Sequence, residues 1–143
     1  MRYIRLVDVG LVAFVFVERA KDYGGVHLGV PARSVSILSA LIDEVGRTLG
    51  HSRRVDLNPV PPDLPARIAD RPYRDLASLR LGSSTDGSNR IVVKGDAALI
   101  SLSATGLQLL QDEIVRSGKG KGDVGLAGDS GDWSDRLWCW PLA

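Results

Sequence analysis

The sequence predicts an α+β domain: a mainly antiparallel sheet with two amphipathic helices, readable as two similar ββαβ-type units. Three observations carry this. Apolar residues recur at spacings of three and four from Val35 to Leu49 and from Leu107 to Ile114, the period of a helix with one buried face. Short β-branched or alternating runs flank both segments, as at Val26, Leu28 and Val30. Clusters of Gly, Asp and Ser punctuate the runs and supply turns.

The 143 residues suit one compact domain, 1–143. A chain of this length buries roughly two-thirds of the surface its unfolded form exposes, so it folds without a metal or disulfide. Eighteen Lys+Arg against 17 Asp+Glu leave a net charge of +1, which argues against a general nucleic-acid binder. The one cysteine excludes an intrachain disulfide and a four-cysteine zinc site. Two histidines leave little material for a histidine-based metal centre. No metal, cofactor or nucleic-acid partner is expected.

Met1 to Arg5 is basic and Val9 to Val17 apolar, which imitates a signal peptide. Asp8 interrupts the pattern, and Glu18-Arg19-Ala20-Lys21 offers no small-residue cleavage site. The run is also about half the ~20 residues a membrane span needs. Phe14 to Val17 instead read as a central strand in a cytoplasmic chain without membrane contact.

Tyr3 to Val7 and Leu11 to Val17 are two expected strands joined at Asp8-Val9-Gly10. Lys21 to Gly25 form a turn, and Val26 to Val30 a third strand. Its alternation turns His27 away from Val26 and Leu28, toward solvent. Pro31 closes that strand and suits the first turn of a helix. The helix stripe is Val35, Leu38, Leu41, Ile42, Val45 and Leu49, with Gly50 as its left-handed cap. Arg54 to Leu57 make a short strand. Pro59, Pro61, Pro62 and Pro65 then mark a stiff connector over 58–75.

In the second half, Leu79 to Leu81 and Ile91 to Val93 are expected to flank a polar hairpin loop, Gly82 to Asn89. Lys94-Gly95-Asp96 turns the chain into Ala98 to Leu102. Ser103 caps a helix with stripe Leu107, Leu110 and Ile114, ended by Gly118. Setting Pro31 against Ser103 aligns Leu38 with Leu110 and Ile42 with Ile114. Either units 1–57 and 76–142 are a pseudo-repeat, or two amphipathic helices align by their common period.

From Gly118 to Asp135 the chain is dense in Gly and Asp. Its glycines follow a helix rather than precede one, which excludes a phosphate loop. Its aspartates fit neither the EF-hand nor calcium β-roll spacing, so an acidic loop between strands is expected. Cys139, between two tryptophans, reads as packed rather than reactive. His51 lies beyond a helix end, and no nucleophile elbow or metalloprotease string occurs. A non-enzyme is the expectation, although the fold could still assemble a carboxylate pair. Arg53, Arg54, Arg67, Arg71, Arg74 and Arg80 interleave with Asp56, Asp63, Asp70 and Asp75, as on a solvated face.

All three tryptophans fall at the C-terminus. Trp and Arg dominate binding hot spots, so Asp129, Asp132, Trp133, Asp135, Arg136, Trp138 and Trp140 form the candidate partner-binding patch. In a strand, Trp138 and Trp140 share one face and Leu137 and Cys139 the other. Either the tryptophan face meets a partner, or both faces are buried.

The second half, roughly 76–142, resembles small bacterial immunity proteins of polymorphic-toxin and contact-dependent inhibition systems. The likeness lies in its order: strand Ile91 to Val93, turn Lys94 to Asp96, a strand into the helix Ser103 to Ile114, a Gly/Asp strand and a tryptophan-rich last strand. The resemblance implies a cytoplasmic, non-catalytic protein that binds and blocks one toxin domain. Such proteins often present an acidic surface, and here only Asp123 to Asp135 supplies one. Two other readings stand beside it: a small enzyme or ligand binder with a cleft between the halves, and a homodimer that extends its sheet through the tryptophan strand.

Overall fold

The computed structural model describes residues 11–16, 24–59, 72–121, 125–132 and 134–142. Its strands are β1 (Val12–Phe16), β2 (Val26–Pro31), β3 (Ser52–Asp56), β4 (Tyr73–Asp75), β5 (Ser78–Ser83), β6 (Arg90–Lys94), β7 (Ala97–Leu102), β8 (Gly125–Ala127) and β9 (Arg136–Leu142). Helix α1 spans Val35–Gly46, and α2 spans Ala104–Gly118. The class is α+β. The expected strand Tyr3 to Val7 and most of the proline-rich connector lie outside the described residues.

The strands form two mixed sheets rather than one. The first runs β4-β1-β2-β9-β8 and the second β3-β5-β7-β6. Each has one parallel pair at its centre, β2 with β9 and β5 with β7; the other pairs are antiparallel. Both helices cross between sheets. Helix α1 leaves β2 in the first and delivers the chain to β3 in the second, and α2 carries it from β7 back to β8. The apolar stripes therefore meet a common core. Leu38, Leu41, Ile42 and Val45 of α1 and Leu107, Leu110 and Ile114 of α2 lie there. Val26, Leu28 and Val30 of β2, Leu79 and Leu81 of β5, and Leu137 and Cys139 of β9 line the same core.

Four local expectations need correction. Leu79 to Leu81 and Ile91 to Val93 do not form a hairpin, because β7 lies between β5 and β6. The tight hairpin is β6–β7, where Lys94 pairs Ala97 across a two-residue turn and Gly95 takes φ 60°, a conformation glycine adopts without steric cost. Leu49 is not on the stripe: α1 ends at Gly46, three residues earlier, and Leu49 is 71% exposed. Gly50, with φ 78°, ends the turn that follows rather than the helix. Pro31 closes β2 as expected but is not in the first turn of α1, because a single 3-10 turn, Ala32–Ser34, separates the two.

Ser103 caps α2 as expected: its Oγ accepts from Gly106 N at 3.0 Å. Asn89 Oδ1 braces the cap, accepting from Ser103 N at 2.8 Å and Ser103 Oγ at 3.1 Å. Replacing Ser103 with Ala should lower stability by about 1 kcal/mol, seen as a lower urea midpoint with an unchanged slope.

Candidate functional site

The two sheets each have a face turned away from the helices, and these faces differ in chemistry. On the first sheet, Phe14 of β1, His27 of β2 and Trp138 and Trp140 of β9 point the same way. His27 stacks on Phe14 at 5.0 Å, Trp140 at 6.0 Å and Trp138 at 6.1 Å between ring centroids. Trp140 Nε1 donates to His27 Nδ1 at 2.8 Å. His27, Phe14 and Trp140 are all buried. The expectation that His27 faces solvent is therefore overturned. Alternation placed it off the helix-side core correctly, but β2 is covered on both faces. Its Nδ1, an acceptor here, is engaged inside the protein.

The C-terminal patch divides. Trp140 and Asp135 are buried, while Trp138 is half-buried and donates through Nε1 to Gly24 O at 2.9 Å. Arg136 is half-buried, Asp129 and Asp132 are exposed, and Trp133 lies outside the described residues. Asp135 acts inward. One carboxylate oxygen accepts from Ile91 N at 2.7 Å and the other from Ser130 N at 3.0 Å. Asp129 accepts from Asn89 N at 2.8 Å, and Asp132 accepts from Ser134 N at 2.9 Å. The acidic loop is thus folded onto itself and onto the start of β6. Strand β9 runs between β2 and β8, so it is not a free edge that a second copy could extend.

Cys139 faces the core. Burial pushes its thiol up to about 12 from an ordinary 9.0, with Glu113 adding to the shift. No thiolate nucleophile forms there near neutral pH. Among the described residues, no group of three His, Cys, Asp or Glu could hold a metal ion, and no helix is long and apolar enough to cross a membrane.

Among the described residues, the outer face of the second sheet is open, and Arg54, Arg80, Arg90 and Lys94 on it are exposed. Cross-strand register sets three rows on it. Ser52, Gly82, Ser101 and Arg90 form the first; Arg54, Arg80, Leu99 and Val92 the second; Asp56, Ser78, Ala97 and Lys94 the third. A depression of about 290 Å³ opens over these rows, lined by His51, Ser52, Arg80, Gly82, Arg90 and Leu99 among others. Arg54 is paired with Asp56 at 3.2 Å, and Arg80 donates to Ser52 Oγ at 3.1 Å. Among the described residues, Arg80, Arg90 and Lys94 form no ion pair. Arg53, one residue from Arg54, points inward and pairs with Glu44 of α1.

The middle-third arginines thus scatter: Arg53 to the helix layer, Arg74 to Gly95 O at 2.6 Å, and only Arg54 and Arg80 to the open face. Arg67 and Arg71 lie outside the described residues. Sequence reasoning missed Arg90, Lys94, Ser101 and Gly82 as one surface. The signal existed in the alternation of Arg90, Val92 and Lys94 against Ile91 and Val93. What it lacked was the neighbour, since β7 rather than β5 lies beside β6. No protein-family model matches the chain, and a search of the curated proteins finds no match.

Two outcomes are expected. Asp135→Asn should cost roughly 2–3 kcal/mol, because a neutral amide weakens both bonds and its one oxygen leaves either the buried Ile91 N–H or the part-buried Ser130 N–H without an acceptor. Hydrogen exchange at the Ile91 and Ser130 amides should accelerate beyond the global change. Cys139 should react with a disulfide reagent at pH 8 more slowly, by roughly three orders of magnitude, than in denaturant. The folded state holds this proton more tightly than the unfolded chain. Its stabilising contribution is therefore complete below pH 9 and is lost as pH rises toward 12, which alkaline unfolding curves of wild type and Cys139→Ala would separate.

Proposed function

We propose that the protein is a non-catalytic, immunity-type binding protein that docks on one cognate protein domain and blocks it through the outer face of its second sheet. One observation carries this reading: of two faces built on the same strand pattern, one is filled with stacked rings, and the other is open, apolar in the middle and basic around it. Hot-spot surfaces combine such an apolar centre with arginine. The resemblance to immunity proteins supports the blocking role, and the elements it was drawn on follow in order as β6, β7, α2, β8 and β9. A basic face on a chain of net charge +1 points to an acidic partner surface rather than a basic one. The cytoplasm is the compartment this role implies.

A small-ligand binder is the second reading, favoured by one specific observation. The depression is lined by Gly50, His51 and Ser52 from the first half of the chain and Arg80 to Ser101 from the second, so it straddles the two.

Growth rescue tests the first reading. The C-terminal domain of the neighbouring reading frame's product is expressed alone and with this protein. Wild type should relieve growth arrest, and the doubly reversed variant Arg90→Glu/Lys94→Glu should fail to do so while keeping its circular dichroism spectrum. Relief that persists in the variant, or absent relief by wild type, overturns the proposal.

A further inference from the structure

The two outer faces correspond position by position. In the first sheet the pairing order is β1-β2-β9-β8, antiparallel, parallel, antiparallel; in the second, β6-β7-β5-β3 repeats it. Register sets the core pair Val26–Leu137 against the core pair Ala98–Leu79. On the outer faces, His27 then corresponds to Leu99, Phe14 to Val92, Trp138 to Arg80 and Trp140 to Gly82. Where the first sheet has a buried indole, the second has a glycine and a depression.

Among the described residues, no side chain fills that space. A Cβ on Gly82 would lie 3.0 Å from both His51 O and Ser52 Cβ, a tight fit that requires both neighbours to give way. The floor beside it is Leu99 and Val92, apolar and half-buried. Arg80 on β5 and Arg90 on β6 also line it, with Ser101 on β7 between them, Ser52 on the neighbouring β3 and Lys94 four residues along β6 from Arg90. A planar ring seated on an aliphatic floor between guanidinium groups gains both burial and cation–π attraction. Three cations without a carboxylate partner among the described residues favour acidic groups beside that ring.

We infer that the Gly82 depression is the anchor pocket for one aromatic side chain of the protein partner, presented on a segment whose neighbouring residues are acidic. The inference rests on the protein-binding reading above and names the chemistry the face selects. Arg80 and Arg90 flank the ring, and Lys94 and Arg90 take the carboxylates.

Three synthetic pentapeptides test it by amide shifts in ¹⁵N NMR: a central tryptophan flanked by Asp and Glu, the same peptide with central alanine, and a central tryptophan flanked by lysines. The acidic tryptophan peptide should shift Gly82, Leu99 and Ser101 saturably. The other two should bind at least about tenfold more weakly, a loss of one anchor or of its charge partners. Arg80→Gln/Arg90→Gln should weaken the acidic tryptophan peptide by about tenfold, and Arg80→Lys/Arg90→Lys should recover part of it. Equal binding of the alanine peptide removes the aromatic anchor. Shifts dispersed over unrelated amides, or matched by inorganic phosphate alone, overturn the pocket. If peptides fail while growth rescue still depends on Arg90 and Lys94, the pocket inference falls and the docking face stands.

Discussion

The structure depends on two parallel strand pairings that tie distant parts of the chain together. Strand β2 lies between β1 and β9, and every one of its residues is buried. Its partner on one side is the last strand of the chain: Val26 pairs Leu137, and Pro31 pairs Leu142. The second sheet has the same dependence, with β5 held by β7 across an intervening strand. Closing loops of this length costs entropy before the contacts reward it. The gain comes from one shared core that neither half could enclose alone, because each helix begins on one sheet and ends on the other. Leu28 and Leu81 belong to one continuous core although they sit in different sheets.

The acidic loop shows how a segment with the composition of a binding surface can be structural. Strand β6 ends the second sheet, and the Ile91 N–H points away from its hairpin partner β7. Unpaired edge groups invite addition of another strand. Asp135 satisfies that donor, and Asp129 exchanges two bonds with Asn89 just before the strand. Asn89 also braces the α2 cap through its side chain. Gly128 makes this possible, since a Cβ there would strike the Asp135 carboxylate. One knot therefore fixes the edge of a sheet, the start of a helix and the path into β9.

The parts legible in the sequence were those set by local periodicity. Both helix stripes, the α2 cap and the β6–β7 turn follow from spacing, Ser103 and Gly95. The parts that were not legible depend on which strands become neighbours. Alternation could place His27 off the helix-side core, but could not show that Phe14 and Trp140 would enclose it. The stretch from Ser78 to Lys94 looks like a hairpin because its strands are adjacent in sequence, and β7 displaces that pairing. Strand β4 is only three residues, Tyr73–Asp75, too short to show a period. The open basic face was illegible for the same reason: its cations come from three strands, and only sheet order brings Arg54, Arg80 and Arg90 together.

The burial of the two central strands explains why the two outer faces contribute differently to stability. Strand β2 is buried along its whole length, whereas β7 alternates buried and half-buried residues. The first sheet gives its second face to internal contacts: His27 stacks on Trp140 and Phe14, and Trp140 Nε1 donates to His27 Nδ1. A face of that kind is expensive to disturb, since exposing a ring forfeits its area and orphans a buried nitrogen. The second sheet repeats the backbone pattern with side chains that tolerate water. Arg80 and Arg90 carry their charge out on aliphatic stems, and Ser52 and Ser101 remain hydrogen-bonding groups whether or not a partner is present. Leu99 and Val92 supply only modest apolar area, small enough to leave uncovered in the free protein. Among the described residues, the side chains of this face lie outside the shared core, so a change on this face disturbs little of what holds the two sheets together.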